Sequence, residues 1–182
     1  LMLVHPKELS DETLFAIDQY VLGGGKVLAF VDPHCDNDPS TGPQGNPMMA
    51  NKASDITPLM NAWGVEMAPA KLAGDLKGAN PIPFEGGRIN YVMYYGVKED
   101  GMSPDDIVTG ELANVNVVSA GILKKLAGGT TTVEPLLSTS TESMAIDSVK
   151  VQFNPNPQEM LDEFIPSGEP LAVAVRVNGP VK

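Results

Sequence analysis

Cysteine is almost missing from this chain of 182 residues: there is only Cys35. One thiol excludes an intramolecular disulfide and leaves the redox compartment unspecified. Positive charge is scarce as well, with 12 Lys and Arg against 23 Asp and Glu, for a formal net charge of −11 and a pI near 4.4. An excess of this sign argues against nucleic acid or an anionic membrane surface as the principal partner, because both are polyanions. Acidity by itself serves solubility and names no partner. No run approaches the ~18 consecutive apolar residues of a membrane helix, and no signal-peptide pattern is present. Aromatics make up 5% of the residues. What is abundant is apolar aliphatic material, glycine and proline. Hydrophobic residues reach 42%, enough for a buried core, and 18 Gly and 16 Pro imply many loops around a modest sheet.

The chain opens on the apolar run Leu1-Met2-Leu3-Val4, as expected of a segment taken from within a longer polypeptide. His5-Pro6 ends that strand. Ser10 is placed to cap a helix, with Asp11 and Glu12 complementing the positive end of its dipole. Leu14, Ile17 and Val21 recur at helical spacing. Gly23-Gly24-Gly25 stops the helix, and Val27 to Val31 forms a second apolar run. Strand, helix and strand with no alternation in either strand predict a parallel pair joined by a right-handed crossover and covered on both faces.

From Asp32 to Ala53 the pattern breaks into a proline-rich segment with Pro33, Pro39, Pro43 and Pro47; long connections of this kind are functional or disordered. A short helix capped by Ser54 or Asp55, with Pro58 in its first turn, is expected to run to Trp63. Val65-Glu66-Met67 starts a strand, and Gly74 to Gly87 reads as loop. Ile89 to Val97, Val115 to Val118 and Thr130 to Ser138 read as strands, with a weak helical turn around Ile122 to Leu126. Pro157 opens a short helix to about Phe164, and Leu171 to Val175 is a final strand.

The stretch Asp32-Pro33-His34-Cys35-Asp36-Asn37-Asp38 holds the side chains closest to chemistry. Asp32 closes a parallel strand at its carboxyl end, where open α/β sheets place ligands. The candidate ligand-binding residues are Asp32, His34, Asp36 and Asp38. Their spacing matches no established metal signature; in particular His34 takes a position that a calcium loop gives to an acidic or amide side chain. No metal and no cofactor are therefore expected. Cys35 is not on a strand-to-helix elbow, and nearby carboxylates oppose a thiolate, so no catalytic residue is expected. His5 is the one further histidine. The glycine triplet follows a helix and precedes a strand, the reverse of a phosphate loop. Tyr91, Tyr94, Tyr95 and Trp63 read as packing residues. Met48-Met49 is a soft apolar pair in a polar loop.

Three segments, taken in order, resemble a known family. They are His5-Pro6-Lys7-Glu8-Leu9-Ser10 continuing through Gly24-Gly25-Lys26-Val27-Leu28 to Val31-Asp32-Pro33; Leu59-Met60-Asn61-Ala62-Trp63-Gly64-Val65; and Pro135-Leu136-Leu137-Ser138-Thr139-Ser140 followed by Pro170 to Val175. Together they look like the extracytoplasmic domain of the auxiliary components of uncharacterised ABC-type transport systems, the group that includes the gliding-motility auxiliary protein. The resemblance implies one α/β domain over 1–182, with a layered, mostly parallel sheet and helices on both faces, flavodoxin-like or glutamine-amidotransferase-like. It implies a periplasmic or other extracytoplasmic location, inner-membrane anchoring through segments outside this chain, and permease and ATPase subunits as partners. The function expected is non-catalytic binding or scaffolding. Two alternatives stay open: a metal- or Cys-dependent hydrolase using the loop after Asp32, and a small-ligand or glycan receptor with that loop as a lid.

Overall fold

The computed structural model describes residues 1–46, 49–153 and 155–180. The opening unit follows the sequence reading. β1 (Met2–Val4) and β2 (Leu28–Phe30) are parallel, in the register Met2↔Leu28 to Val4↔Phe30. Between them α1 (Asp11–Leu22) is capped by Ser10, whose hydroxyl accepts the Thr13 amide, and Gly24 takes a positive φ of 88° beyond its end. Ile17 is buried with Leu3, Leu14 and Ala29 around it, so helix and sheet share one core.

The opposite face of the pair is bare, contrary to the expected cover on both faces. Met2, Val4, Leu28 and Phe30 are 62, 66, 52 and 50% exposed. Each strand alternates exposed, half-buried, exposed, so an unbroken apolar run here conceals a one-sided strand.

Beyond this unit the expected layered parallel sheet is not formed. The elements that follow are α2 (Thr57–Ala62), β3 (Val65–Asp75), β4 (Ala79–Phe84), β5 (Gly87–Lys98), β6 (Asn114–Val118), β7 (Gly121–Lys125), β8 (Thr132–Ser138), β9 (Ser143–Asp147), α3 (Val149–Gln152), α4 (Pro157–Asp162) and β10 (Ala172–Asn178). Among the described residues β1–β2 is the one parallel pairing of strands, and the other pairings are antiparallel. Five of the later connections, β3–β4, β4–β5, β6–β7, β7–β8 and β8–β9, have only two to six residues. A parallel return needs a dozen or more residues, usually a helix, and no described helix after Leu22 exceeds six residues. The sheets order as β7-β3-β9, β4-β5-β6 and β10-β8.

Two local expectations fail with it. Gly74 to Gly87 is not loop: β4 pairs with β5 across Glu85 and Gly86, with φ of 46° and 79°, the double positive φ that tight hairpins require. The turn expected around Ile122 to Leu126 is instead β7, lying on Val65–Met67 of β3. α2 is not capped by Ser54 or Asp55; its N-cap is Ile56, without a side-chain bond, and Pro58 does sit in its first turn.

The core is divided. Leu72, Val92, Met93, Ile146, Val151 and Met160 form one cluster, and Tyr95, Val97 and Met102 another. The third joins α1 and α2 to Val65, with Leu3, Ala29 and Leu123 packed against it. That third cluster ties the βαβ unit to the antiparallel body and fixes the position of the unit's rim. No described helix is long and apolar enough to cross a membrane.

Candidate functional site: the rim of the parallel pair

β1 and β2 end side by side, so the residues leaving them meet. His5 follows β1 with a φ of 45°, and its amide donates to the Phe30 carbonyl over 2.9 Å. This conformation, uncommon for a residue with a side chain, turns the imidazole back over the rim. There Nδ1 lies 2.9 Å from Ser54 Oγ and Nε2 lies 3.0 Å from Asp38 Oδ2. Ser54 Oγ also receives the Asp32 amide over 2.9 Å, and the Ser54 amide donates to the Asp32 carbonyl over 2.8 Å. Lys7 Nζ donates to Asp38 Oδ2 at 2.7 Å and to the Asn51 carbonyl at 2.6 Å. The ends of the long segment from 32 to 54 are thus stitched to the exit of β1.

The four predicted ligand residues separate. Asp38 is buried and committed to the network, accepting from Lys7 and from the Ser40 amide. Asp32 is half-buried, with Oδ2 3.9 Å from His5 Nδ1; burial first of all raises its carboxyl above the ordinary aspartate range. His34 points elsewhere. It is buried, and its Nε2 lies 3.6 Å from Oδ1 of the exposed Asp36. Burial holds the His34 ring below its ordinary value, which favours the neutral form. His34 lines a cleft of about 530 Å³ with Pro33, Ser54, Met60, Glu66 and Met67. Asp32 and Asp38 therefore share the rim with His5, His34 lines the neighbouring cleft, and the exposed Asp36 meets the His34 imidazole.

Cys35 is half-buried, its amide donates to the Lys52 carbonyl at 2.8 Å, and turn rather than helix follows it. It lacks the helix N-terminus that a nucleophile elbow supplies. Its thiol does join His5 and Asp32, with one ligand atom from each inside a 4.8 Å group. The tyrosines make no shared platform. Tyr95 is fully buried with its hydroxyl unpaired, and burial pushes its pKa far above the ordinary value. Tyr91 packs against another cluster and is pushed up to about 12, by burial and then by Asp36. Met49 is exposed; Met48 lies outside the described residues.

Sequence reasoning missed His5, Lys7 and Ser54 as partners of the rim. One signal was available: if β1 and β2 are adjacent and parallel, the residues after Val4 and after Val31 must share an edge.

The pKa of Asp38 is held far below the ordinary value of 3.8, by Lys7 first and then by Ser40 and His5. Between the two values the unfolded chain binds the proton and the folded chain does not, so stability rises with pH there. The contribution is complete above the ordinary value and fades as pH falls below about 4. Asp38→Asn is expected to lower the urea midpoint at pH 7 and to leave a smaller further drop at pH 3 than the parent shows. Equal drops in the two proteins would exclude this role.

Fold and rim together define an α+β domain with a crosslinked polar rim and an adjoining cleft. The chain belongs to the family described as ABC-type uncharacterized transport system, whose model matches residues 1–182, and it is thus an auxiliary protein of such a system. The curated proteins and the solved structures gave no significant match.

Proposed function

We propose that this domain is a non-catalytic docking module of the auxiliary subunit, and that it works outside the cytoplasm on the permease of a permease–ATPase assembly. In this reading the full protein is held at the inner membrane by segments outside this chain. The observation that carries it is the bare face of the β1–β2 pair. Parallel strands are normally covered on both sides, yet Met2, Val4, Leu28 and Phe30 stand in solvent as one contiguous apolar strip. An apolar strip beside two unpaired strand edges fits a helix or strand from a partner with a complementary apolar surface. In this reading the permease supplies that surface.

The test is affinity capture of the full-length protein from detergent-solubilised membranes. The wild type is expected to bring down the permease. The double variant Val4→Asp, Phe30→Asp is expected to lose most of it at an unchanged unfolding midpoint, since exposed substitutions of this kind change stability by only about 0.5 kcal/mol. Recovery of the wild type alone, or equal recovery of the permease with both proteins, would overturn the proposal.

A further inference from the structure

The geometry points to a divalent transition-metal site of the zinc class at the rim, with His5 Nδ1, an Asp32 carboxylate oxygen and Cys35 Sγ as ligands. These atoms converge from three places in the fold: the exit of β1, the exit of β2 and the turn after it. One atom from each lies within 4.8 Å of the others. Bonds of about 2.0–2.3 Å in a tetrahedral shell place ligand atoms about 3.4–3.8 Å apart, so closure by about 1 Å completes the set. Imidazole, carboxylate and thiolate together match zinc and its neighbours rather than magnesium or calcium.

The hydrogen bonds already prepare the histidine. Ser54 Oγ receives the Asp32 amide and lies 2.9 Å from His5 Nδ1, to which its own proton can be donated. In that tautomer Nδ1 carries a lone pair, and Nε2–H donates to Asp38 at 3.0 Å. A carboxylate on the far nitrogen of a ligating histidine is the arrangement that fixes tautomer and ring orientation in metal sites. Lys7 spends its charge on Asp38, so Asp32 and the thiolate keep theirs for the ion. The three ligands are half-buried, which leaves a path from solvent. On binding, the ion takes the place of the Ser54 hydroxyl proton at Nδ1, and the Cys35 proton passes to bulk water, so affinity rises with pH. Three protein ligands leave one coordination position for water or for an oxygen donor of a bound molecule.

Cobalt(II) titration of the untagged chain reads the site. The wild type is expected to develop a thiolate-to-cobalt charge-transfer band that saturates at one equivalent and is bleached by zinc. Cys35→Ser is expected to abolish the band. Asp38→Asn is expected to weaken affinity about 10–100-fold without removing it. Circular dichroism follows the fold of each variant. Independently of any substitution, zinc is expected to slow alkylation of Cys35 in the wild type at least tenfold, and magnesium to leave the rate unchanged. Absence of the band in the wild type, its persistence in Cys35→Ser, or an alkylation rate indifferent to zinc would each overturn the site. None of these outcomes bears on capture of the permease, so the docking proposal stands or falls separately.

Discussion

Leu72→Ala is expected to lower unfolding free energy by about 2–5 kcal/mol, the range for deleting a fully buried leucine side chain. Leu72 is completely inaccessible and packs with Val92, Met93, Ile146 and Met160. It lies in β3, opposite Gly121 of β7 and Ile146 of β9, where the central strand is held on both edges. Backbone paired on two sides cannot collapse inward to refill the space, which places the cost toward the upper end. Against a typical total of about 5–15 kcal/mol, the variant should stay folded with a melting midpoint lower by about 2–4 °C per kcal/mol. Leu72→Met keeps the volume and should cost less than about 1.5 kcal/mol. Urea unfolding of the three proteins decides it; an alanine variant within ~1 kcal/mol of the wild type would contradict this packing.

The second large effect is expected at Arg176→Met. Asp106 is buried at the base of the loop between β5 and β6, and both Arg176 guanidinium NH groups bind its carboxylate, NH2 to Oδ1 at 3.1 Å. Oδ1 also accepts the Val108 amide at 2.8 Å. Removing the cation leaves a buried anion that keeps the Val108 amide as its donor. An uncompensated buried charge costs about 3–5 kcal/mol; here Arg176 is one-third exposed, water reaches the pair, and about 1–3 kcal/mol is expected. Arg176→Lys should recover only part, because an ammonium lacks the planar fork. The loss should be local: amide hydrogen exchange should quicken across residues 103–112, which carry the exposed Ile107 and Val108, and stay unchanged in β3. Uniform acceleration through the sheet would show that the pair holds the whole fold instead.

The opening unit was legible because its signals are local. Ser10, the spacing of Leu14, Ile17 and Val21, and the glycine stop all act within a few residues of one another. The layered, mostly parallel flavodoxin-like sheet that the resemblance implies is not what the rest of the chain forms. The βαβ signature covers only the first 31 or so residues, and later strands are joined by connections without a crossover helix. β4 was hidden by Pro81 and Pro83, which suggest a loop until β4 is known to be the edge of its sheet, where alternate amides face away from the ladder. β7 was hidden by Leu123, Lys124 and Lys125, good helix formers overridden by pairing with β3. Of the candidate site, Asp32 was legible from its place at a strand's carboxyl end. That His5 and Lys7 would meet Asp38 was not, because the contact spans more than 30 residues and depends on how the proline-rich segment returns.

A photoreactive side chain at position 30, introduced into the full-length protein in intact membranes, tests the docking face most directly. Irradiation is expected to attach the domain to the permease, with the same label at the exposed Asn90 of β5 giving no such adduct. An adduct within the same polypeptide, with a second copy of it, or equally from both positions would show that the bare apolar strip is not the surface the transporter meets.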